Sequence, residues 1–267
     1  MDNVALFGPD RLSKCPTCGF PIRPVYKSNG YLDSYVPELD QNYWDQNNIR
    51  TRTDTYTERQ LRKERNGKKT VAMVGWSPQS CGLAPYNEPN IHLNGMLEIW
   101  SLNQIHAMAW FKNWTRWFQM HKSDSYMRQR SLRGVLGHYD WLKQDHGENI
   151  IYMQFKHDEI PNSVEYPLVE VTQKYLSKIK KGKEIVKYFT STFAFMVPIA
   201  IMEGFQRIEL YGFEMTASEE WAPQKACAEF WIGFAAGKGL EIYLPEGNHL
   251  LEGPIYGYQG KGANNVA

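Results

Sequence analysis

The chain has 267 residues, 42% of them hydrophobic and 22% charged, which is enough apolar material for a packed core and argues against wholesale disorder. Its formal net charge of +1 does not point to nucleic acid as the main partner, although a local basic patch is compatible with it. No apolar run reaches the ~18 residues of a membrane span and no signal-peptide core opens the chain, so the expectation is no membrane association and a cytoplasmic protein, in the host cytoplasm if the gene is viral.

Residues 1–67 hold few apolar runs and many Asp, Asn, Tyr and Arg, and they read as an N-terminal appendage to a main domain over 68–267. Within the appendage, "SKCPTCGFPI" places Cys15 and Cys18 in a C-x-x-C. Pro after the first Cys and Gly after the second suit a zinc knuckle, because the Gly permits positive φ and the backbone N–H groups face the thiolates. Zinc there would be structural, folding a segment without a core of its own. The second half of the site is missing, since only Cys81 and Cys227 remain. A His, a distant Cys or the same knuckle in a second subunit of a homo-oligomer would complete it; a metal-free knuckle and a redox pair are the alternatives. Cysteine usage otherwise reads as reduced and intracellular. The stretch "TERQLRKERNGKK" (57–69) reads as a short solvated helix or linker.

From residue 70 onward, short apolar runs alternate with longer amphipathic segments. Strands are expected at 70–75, 97–102, 115–120, 149–155, 207–211 and 240–244. Helices are expected at about 104–111, 126–145, 167–180, 191–203 and 218–237. Such alternation implies an α/β fold with a Rossmann-like, mostly parallel sheet flanked by helices.

In that fold, ligands bind beyond the carboxyl ends of the strands, near the point where strand order reverses. The first strand, in "KKTVAMVGWSPQS" (68–80), ends at Gly75, followed by Ser77 and Ser80. Glycine lets a backbone approach a ligand closely, and a strand followed by a bare turn is the plainer reading. The turn matches neither G-x-G-x-x-G nor a P-loop. The second strand ends at Asn103, and the third places Gln119 and His121 at its tip. In "YFTSTFAFM", Thr190, Ser191 and Thr192 open a very apolar helix, where capping is the ordinary role of such residues. Another strand ends at Gly212-Phe213-Glu214. Small and polar residues therefore recur where the cleft is expected.

This order of motifs, G-x-S-P-x-S, an Asn after the second strand, T-S before an apolar helix and "EGFQRIELYGFEM", resembles the bacterial sialyltransferases that use a CMP-activated sugar. It also resembles the hydroxymethylpterin pyrophosphokinase-like family, and the layout of "WFQMH" and "IPNSVEYP" resembles Rossmann-like proteins of bacteriophages. The resemblance covers about residues 70–246 and implies a nucleotide or nucleotide-sugar ligand. It implies that Gly75, Ser77 and Ser80 face the phosphates or ribose, that Asn103 bonds the nucleotide, and that Thr190 and Ser191 contact its base or phosphates. Gly212 and Glu214 would lie at the cleft floor. The sialyltransferases carry Gly where this chain has Thr192, Asp where it has Glu214, and a His in the segment that reads "TASEEWAPQKACAEFW" here.

Glycosyl transfer needs a base for the acceptor and a stabiliser for the departing phosphate. His121 is the base candidate, against a surface or structural His. Glu214 and the pair Glu219 and Glu220 are alternative bases or Mg²⁺ ligands. Tyr211 and Trp221 are stacking candidates, and buried packing is the commoner fate of both. His157, Asp158 and Glu159 resemble a metal cluster on paper, but neighbours in sequence do not converge on one ion unaided. The aromatic and basic stretch 113–133 reads as a solvated helix face or as a cover for substrate or nucleic acid. Three functions follow: a nucleotide-sugar glycosyltransferase, with modified DNA bases or glycans as acceptors if the gene is viral; a pyrophosphokinase; or a non-catalytic nucleotide-binding or virion assembly protein.

Overall fold

Thr70–Val74, Leu97–Leu102 and Arg207–Tyr211 are buried along their whole length. Strands covered on both faces belong inside a parallel sheet. The computed structural model describes residues 13–14, 21–26, 32–37, 56–77, 79–108, 111–123, 137–215 and 221–253. A small antiparallel sheet comes first, from β1 (Ser13–Lys14), β2 (Pro21–Tyr26) and β3 (Leu32–Pro37) in that order. Helix α1 (Tyr56–Arg65) follows.

The main sheet begins with β4 (Thr70–Val74), β5 (Leu97–Leu102) and β6 (Arg116–Gln119). A short helix α2 (His138–Leu142) precedes β7 (Ile150–Met153) and β8 (Ser163–Glu165). Helix α3 (Leu168–Val171) runs into a π-turn, Thr172–Leu176, and then a two-stranded hairpin of β9 (Lys180–Lys181) and β10 (Glu184–Ile185). The chain returns through α4 (Phe193–Met202), β11 (Arg207–Tyr211), α5 (Trp221–Gly237) and β12 (Glu241–Tyr243). The order is β12-β11-β4-β5-β6-β7-β8, and every neighbouring pair is parallel. The protein therefore has an α/β, Rossmann-like fold.

Alternation along β4 divides the core. Val71 and Met73 face one apolar cluster, and Ala72 and Val74 face the other. The larger cluster takes Phe193, Ala194, Met196, Val197, Ile199 and Ala200 of α4, so this helix is apolar around most of its circumference. It takes a stripe from α5 as well: Cys227, Ala228, Trp231, Ile232 and Ala235. Trp100, Trp117 and Trp231 are fully buried, each worth about 2–3 kcal/mol of apolar transfer.

The stretch read as a solvated helix or linker is α1, and one face of it is buried. Leu61 is 4% exposed. Arg65 Nε donates to Glu209 Oε1 at 2.9 Å, and Arg207 Nε donates to the same oxygen. A second buried cluster joins Arg116 Nε to Glu98 Oε2 at 2.9 Å, with Trp100 Nε1 and Thr115 Oγ1 donating to the same carboxylate. Arg116 and Arg207 open their strands, so these buried charges sit at the amino ends of the sheet. Paired and hydrogen-bonded, they are tolerated inside. The carboxyl ends are left to other chemistry.

The expected helix at 104–111 is a single 3₁₀ turn, Ile105–Ala107, because Met108 is extended and stops it. The strand β8 is absent from the expected elements, and the expected helix 126–145 is described only over α2.

Candidate functional site

After β4 the chain runs outward to β8, and α4 brings it back to β11 on the other side of β4. Strand order reverses between β4 and β11, and a crevice opens there at the carboxyl ends. A cavity of about 500 Å³ occupies it, within the range of small-molecule sites. Gly75 and Ser77 line it after β4, Asn103 and Gln104 after β5, Met120 and His121 after β6. Gln154 lines it after β7 and Gly212 after β11, while Thr190, Ser191 and Thr192 contribute the approach to α4. Phe189, Phe193, Phe195 and Phe213 supply apolar wall, and Gln224 reaches in from α5.

The glycines at the reversal have a structural reason. A Cβ on Gly75 would stand 2.3 Å from the Gly212 carbonyl oxygen, and one on Gly212 would stand 2.6 Å from that of Gly75. Gly212 also has φ +74°. The two loops cross backbone on backbone: Gly75 N donates to Tyr211 O at 2.7 Å and Ser77 N to Gly212 O at 3.0 Å. What approaches these glycines closely is therefore the opposite loop.

Ser80 and Glu214 lie behind this crossing and outside the cavity lining. Ser80, 2% exposed, donates from its hydroxyl to Glu214 Oε1 and accepts from Gly212 N at 2.7 Å. The other oxygen, Glu214 Oε2, is buried without a hydrogen bond among the described residues. Burial raises the Glu214 carboxyl above its ordinary value, and the Ser80 hydroxyl offsets part of that. Ser77 Oγ donates to Gln79 Oε1.

Asn103 ends β5 in the left-handed region, φ 56°, which Asn tolerates better than most residues. Its backbone oxygen accepts from Trp117 Nε1 at 3.0 Å, and its Oδ1 accepts from Thr192 Oγ1 at 3.3 Å. That leaves its Nδ2 amide without a protein acceptor among the described residues. Thr190 Oγ1 donates to Pro223 O, tying the approach of α4 to α5. Ser191 Oγ is buried and has no hydrogen-bond partner among the described residues. Thr192 holds the N-cap position of α4 without a side-chain capping bond, so neither hydroxyl serves as a cap.

His121 is exposed at the cavity wall, and its Nδ1 faces Gln119 Nε2. It is the only titratable residue in the lining, which contains no Lys, Arg, Asp or Glu among the described residues. Tyr211 is fully buried and donates to Glu209 Oε2, away from the cavity. Trp114, Arg116 and Trp117 serve the core of β6, and Trp114 and Trp117 pack edge-on at 5.4 Å. Among the described residues, no three His, Cys, Asp or Glu side chains converge, and Glu159 instead accepts from Tyr139 OH. Cys15, Cys18, Glu219, Glu220 and the side chain of Trp221 lie outside the described residues. Cys81 and Cys227 are buried and free. No described helix is long and apolar enough to cross a membrane.

Gln104, Gln154 and Gln224 are lining residues that the sequence expectations left out. Gln154 had a signal, a polar residue at a strand end, but the strand expected at 149–155 enclosed it. Gln224 sits on the body of α5, where nothing local distinguishes it.

No protein-family model matches the chain, and no curated protein matches it by sequence. Among solved structures, it is similar to the sialyltransferase CstII from Campylobacter jejuni in complex with cytidine-5'-monophosphate, at 15% identity and TM-score 0.41, over 68% of this chain and 82% of that one. The same enzyme with CMP-3FNeuAc gives 14% identity and TM-score 0.39, over 66% and 79%.

Proposed function

We propose that the crevice between β4 and β11 binds a nucleotide-activated sugar and that the protein is a glycosyltransferase-like enzyme. The observation that carries this reading is the composition of the cavity wall: amides, hydroxyls and aromatic rings with one imidazole, and no described carboxylate or fixed cation. Amides and hydroxyls suit the hydrogen-bonding edges of a base and a ribose, and the Phe rings suit their faces. A single phosphate finds Ser191 Oγ, the start of α4 and His121, without a charged residue. A triphosphate with Mg²⁺ would want a carboxylate for the metal, and the described lining offers none, so the pyrophosphokinase reading has less support. The order of motifs from Gly75 to Glu214 supports a nucleotide ligand under either reading. In the transfer, the bond between the sugar's anomeric carbon and the phosphate oxygen breaks with its electron pair going to phosphate, and an acceptor hydroxyl bonds to that carbon as its proton passes to a base, for which His121 is the candidate in the lining. A glycan or a modified base would offer such a hydroxyl.

The test is a thermal-shift panel of CMP, UDP, GDP, ADP and ATP forms and their sugar conjugates, with and without Mg²⁺. A ligand that binds only the folded state at a hundred times its Kd stabilises it by about 2.7 kcal/mol. The expected result is a rise with a nucleoside monophosphate or its sugar conjugate, independent of Mg²⁺. A flat panel on folded protein would leave a non-catalytic protein as the better reading, and a rise confined to Mg-ATP would favour pyrophosphoryl transfer.

A further inference from the structure

The segment from the π-turn through the hairpin of β9 and β10 concentrates positive charge. Between Lys174 and Lys187 the sequence holds six lysines, Lys174, Lys178, Lys180, Lys181, Lys183 and Lys187, against one acid, Glu184, a net +5 in a chain whose total is +1. All six are exposed. Elsewhere Lys68, Lys143 and Lys225 each pair with a carboxylate, whereas none of these six has an ion pair among the described residues. Lys174 rests against the ring of Tyr175.

The fold does not account for this charge. β9 and β10 pair only with each other, Lys181 opposite Glu184 and Lys180 opposite Ile185, with Gly182 at φ +64° in the turn. A two-stranded hairpin has little stability of its own, and like charges crowded on it lower that further. Groups other than lysine hold it in place. Val186 N donates to Ile179 O at 2.9 Å, Ile185 and Tyr188 pack against the core, and Trp231 Nε1 of α5 donates to Tyr188 O at 2.9 Å. Lysine on a free strand edge guards against pairing between chains. That explains Lys180 and Lys181 and leaves Lys174, Lys178, Lys183 and Lys187, which lie outside the two strands, without a structural reason.

Placement narrows what the charge can meet. Successive residues of a strand face opposite sides, so Lys180 and Lys181 project from the two faces of the ribbon, with Lys183 in its turn. A flat anionic membrane meets one face of such a ribbon. The major groove of a DNA duplex admits a two-stranded ribbon and sets phosphates along both of its sides. The segment also leads directly to the crevice. Phe189 and Thr190 line the cavity, and the Cα atoms of Lys187 and Phe189, two residues apart, are separated by at most about 7 Å.

We propose that the lysine-rich hairpin is a docking surface for double-stranded DNA, held through its phosphates beside the crevice. Lysine contacts to phosphate carry no sequence information, so this binding is independent of sequence and falls steeply with salt. The docking stands apart from the transferase reading. One consequence rests on that reading: the acceptor hydroxyl is then carried by a DNA base, which leaves the stack to reach the crevice.

The test is fluorescence anisotropy of a labelled DNA duplex of about 20 base pairs, titrated with the full chain at about 50 and 200 mM salt. Five phosphate contacts predict a fall in affinity of about 500-fold over that range. Combining Lys180→Gln, Lys181→Gln and Lys183→Gln is expected to weaken binding at the lower salt at least about tenfold and to flatten the slope of log affinity against log salt by about 2.7. Should that variant not fold, Lys183→Gln alone is expected to flatten the slope by about 0.9. Combining Lys63→Gln, Lys112→Gln and Lys238→Gln removes the same charge elsewhere and is expected to leave affinity and slope unchanged. No duplex binding at the lower salt overturns the proposal, and so do equal effects of the two triple variants. Sedimentation of the chain with phosphatidylserine vesicles while the duplex stays unbound also overturns it, in favour of a membrane. A nucleotide thermal shift beside an unbound duplex would sink the docking alone, and duplex binding beside a flat nucleotide panel would sink the transferase reading alone.

Discussion

Replacing Ser80 with Ala tests whether the crevice floor is held by a clasp. One hydroxyl joins the loop after β4 to the loop after β11, donating to Glu214 Oε1 and accepting from Gly212 N at 2.7 Å. Its removal orphans two buried groups at once. A hydrogen bond to a charged partner is worth about 1.5–3 kcal/mol, and an unmet backbone N–H costs about 1–3, so the expected loss is about 3–5 kcal/mol. The loss should depend on pH. Glu214 has a carboxyl raised by burial, so the folded chain holds that proton more tightly than the unfolded chain. Its ionised form costs stability above the folded-state value, and that cost is relieved as pH falls through it toward the ordinary carboxylate range. Ser80 is one of the groups that offset the raise, so Ser80→Ala should lose most at about pH 8 and less at about pH 5. Urea titrations followed by tryptophan fluorescence read both values. A loss under about 0.5 kcal/mol, the range of an ordinary surface change, or an equal loss at both pH values would refute the clasp.

Other substitutions separate binding from folding. Asn103→Gly keeps the left-handed backbone and removes the amide, so it should weaken nucleotide binding at least tenfold with stability little changed. Asn103→Ala should add about 1–2 kcal/mol of destabilisation from the backbone alone, read as a difference between the two variants in urea. Gly212→Ala combines a positive φ with a Cβ 2.6 Å from a carbonyl oxygen and should cost about 2–4 kcal/mol. Glu98→Ala leaves Arg116 short of its buried partner and should cost about 3–5 kcal/mol, while calorimetric affinity for the nucleotide stays unchanged because the pair sits at the far end of the sheet. Elemental analysis of the purified chain should find zinc that is lost in Cys15→Ser and Cys18→Ser, with no effect on the cavity's ligand.

The sheet was legible wherever a strand is covered on both faces, because β4 and β5 then appear as short apolar runs that nothing else explains. It was not legible at β8, whose three residues sit in a polar segment and contribute little apolar periodicity. The residues lining the cavity were legible where a strand stops: Gly75, Asn103, His121 and Gly212 each follow the last residues of an apolar run. Their reasons were less so. A glycine after a strand suits a close ligand or a bare turn equally, and the atom nearest to the would-be Cβ of Gly75 is a carbonyl of the opposite loop. The resemblance sets Ser80 toward the ligand and Glu214 at the cleft floor, whereas the two bond each other across 134 positions of sequence, a pairing no local pattern carries. The contacts of His106, Gln119 and His138 were equally hidden, since the three meet only when the turn after β5, β6 and α2 pack together.

The most direct measurement is a crystal structure of the chain with the nucleotide that gives the largest thermal shift. The expected result is ligand density in the crevice between β4 and β11, with the nucleoside against Asn103 and the phosphate near Ser191 and His121. Density elsewhere on the molecule, or a phosphate remote from both Ser191 and His121, would contradict the assignment of this cavity as the site.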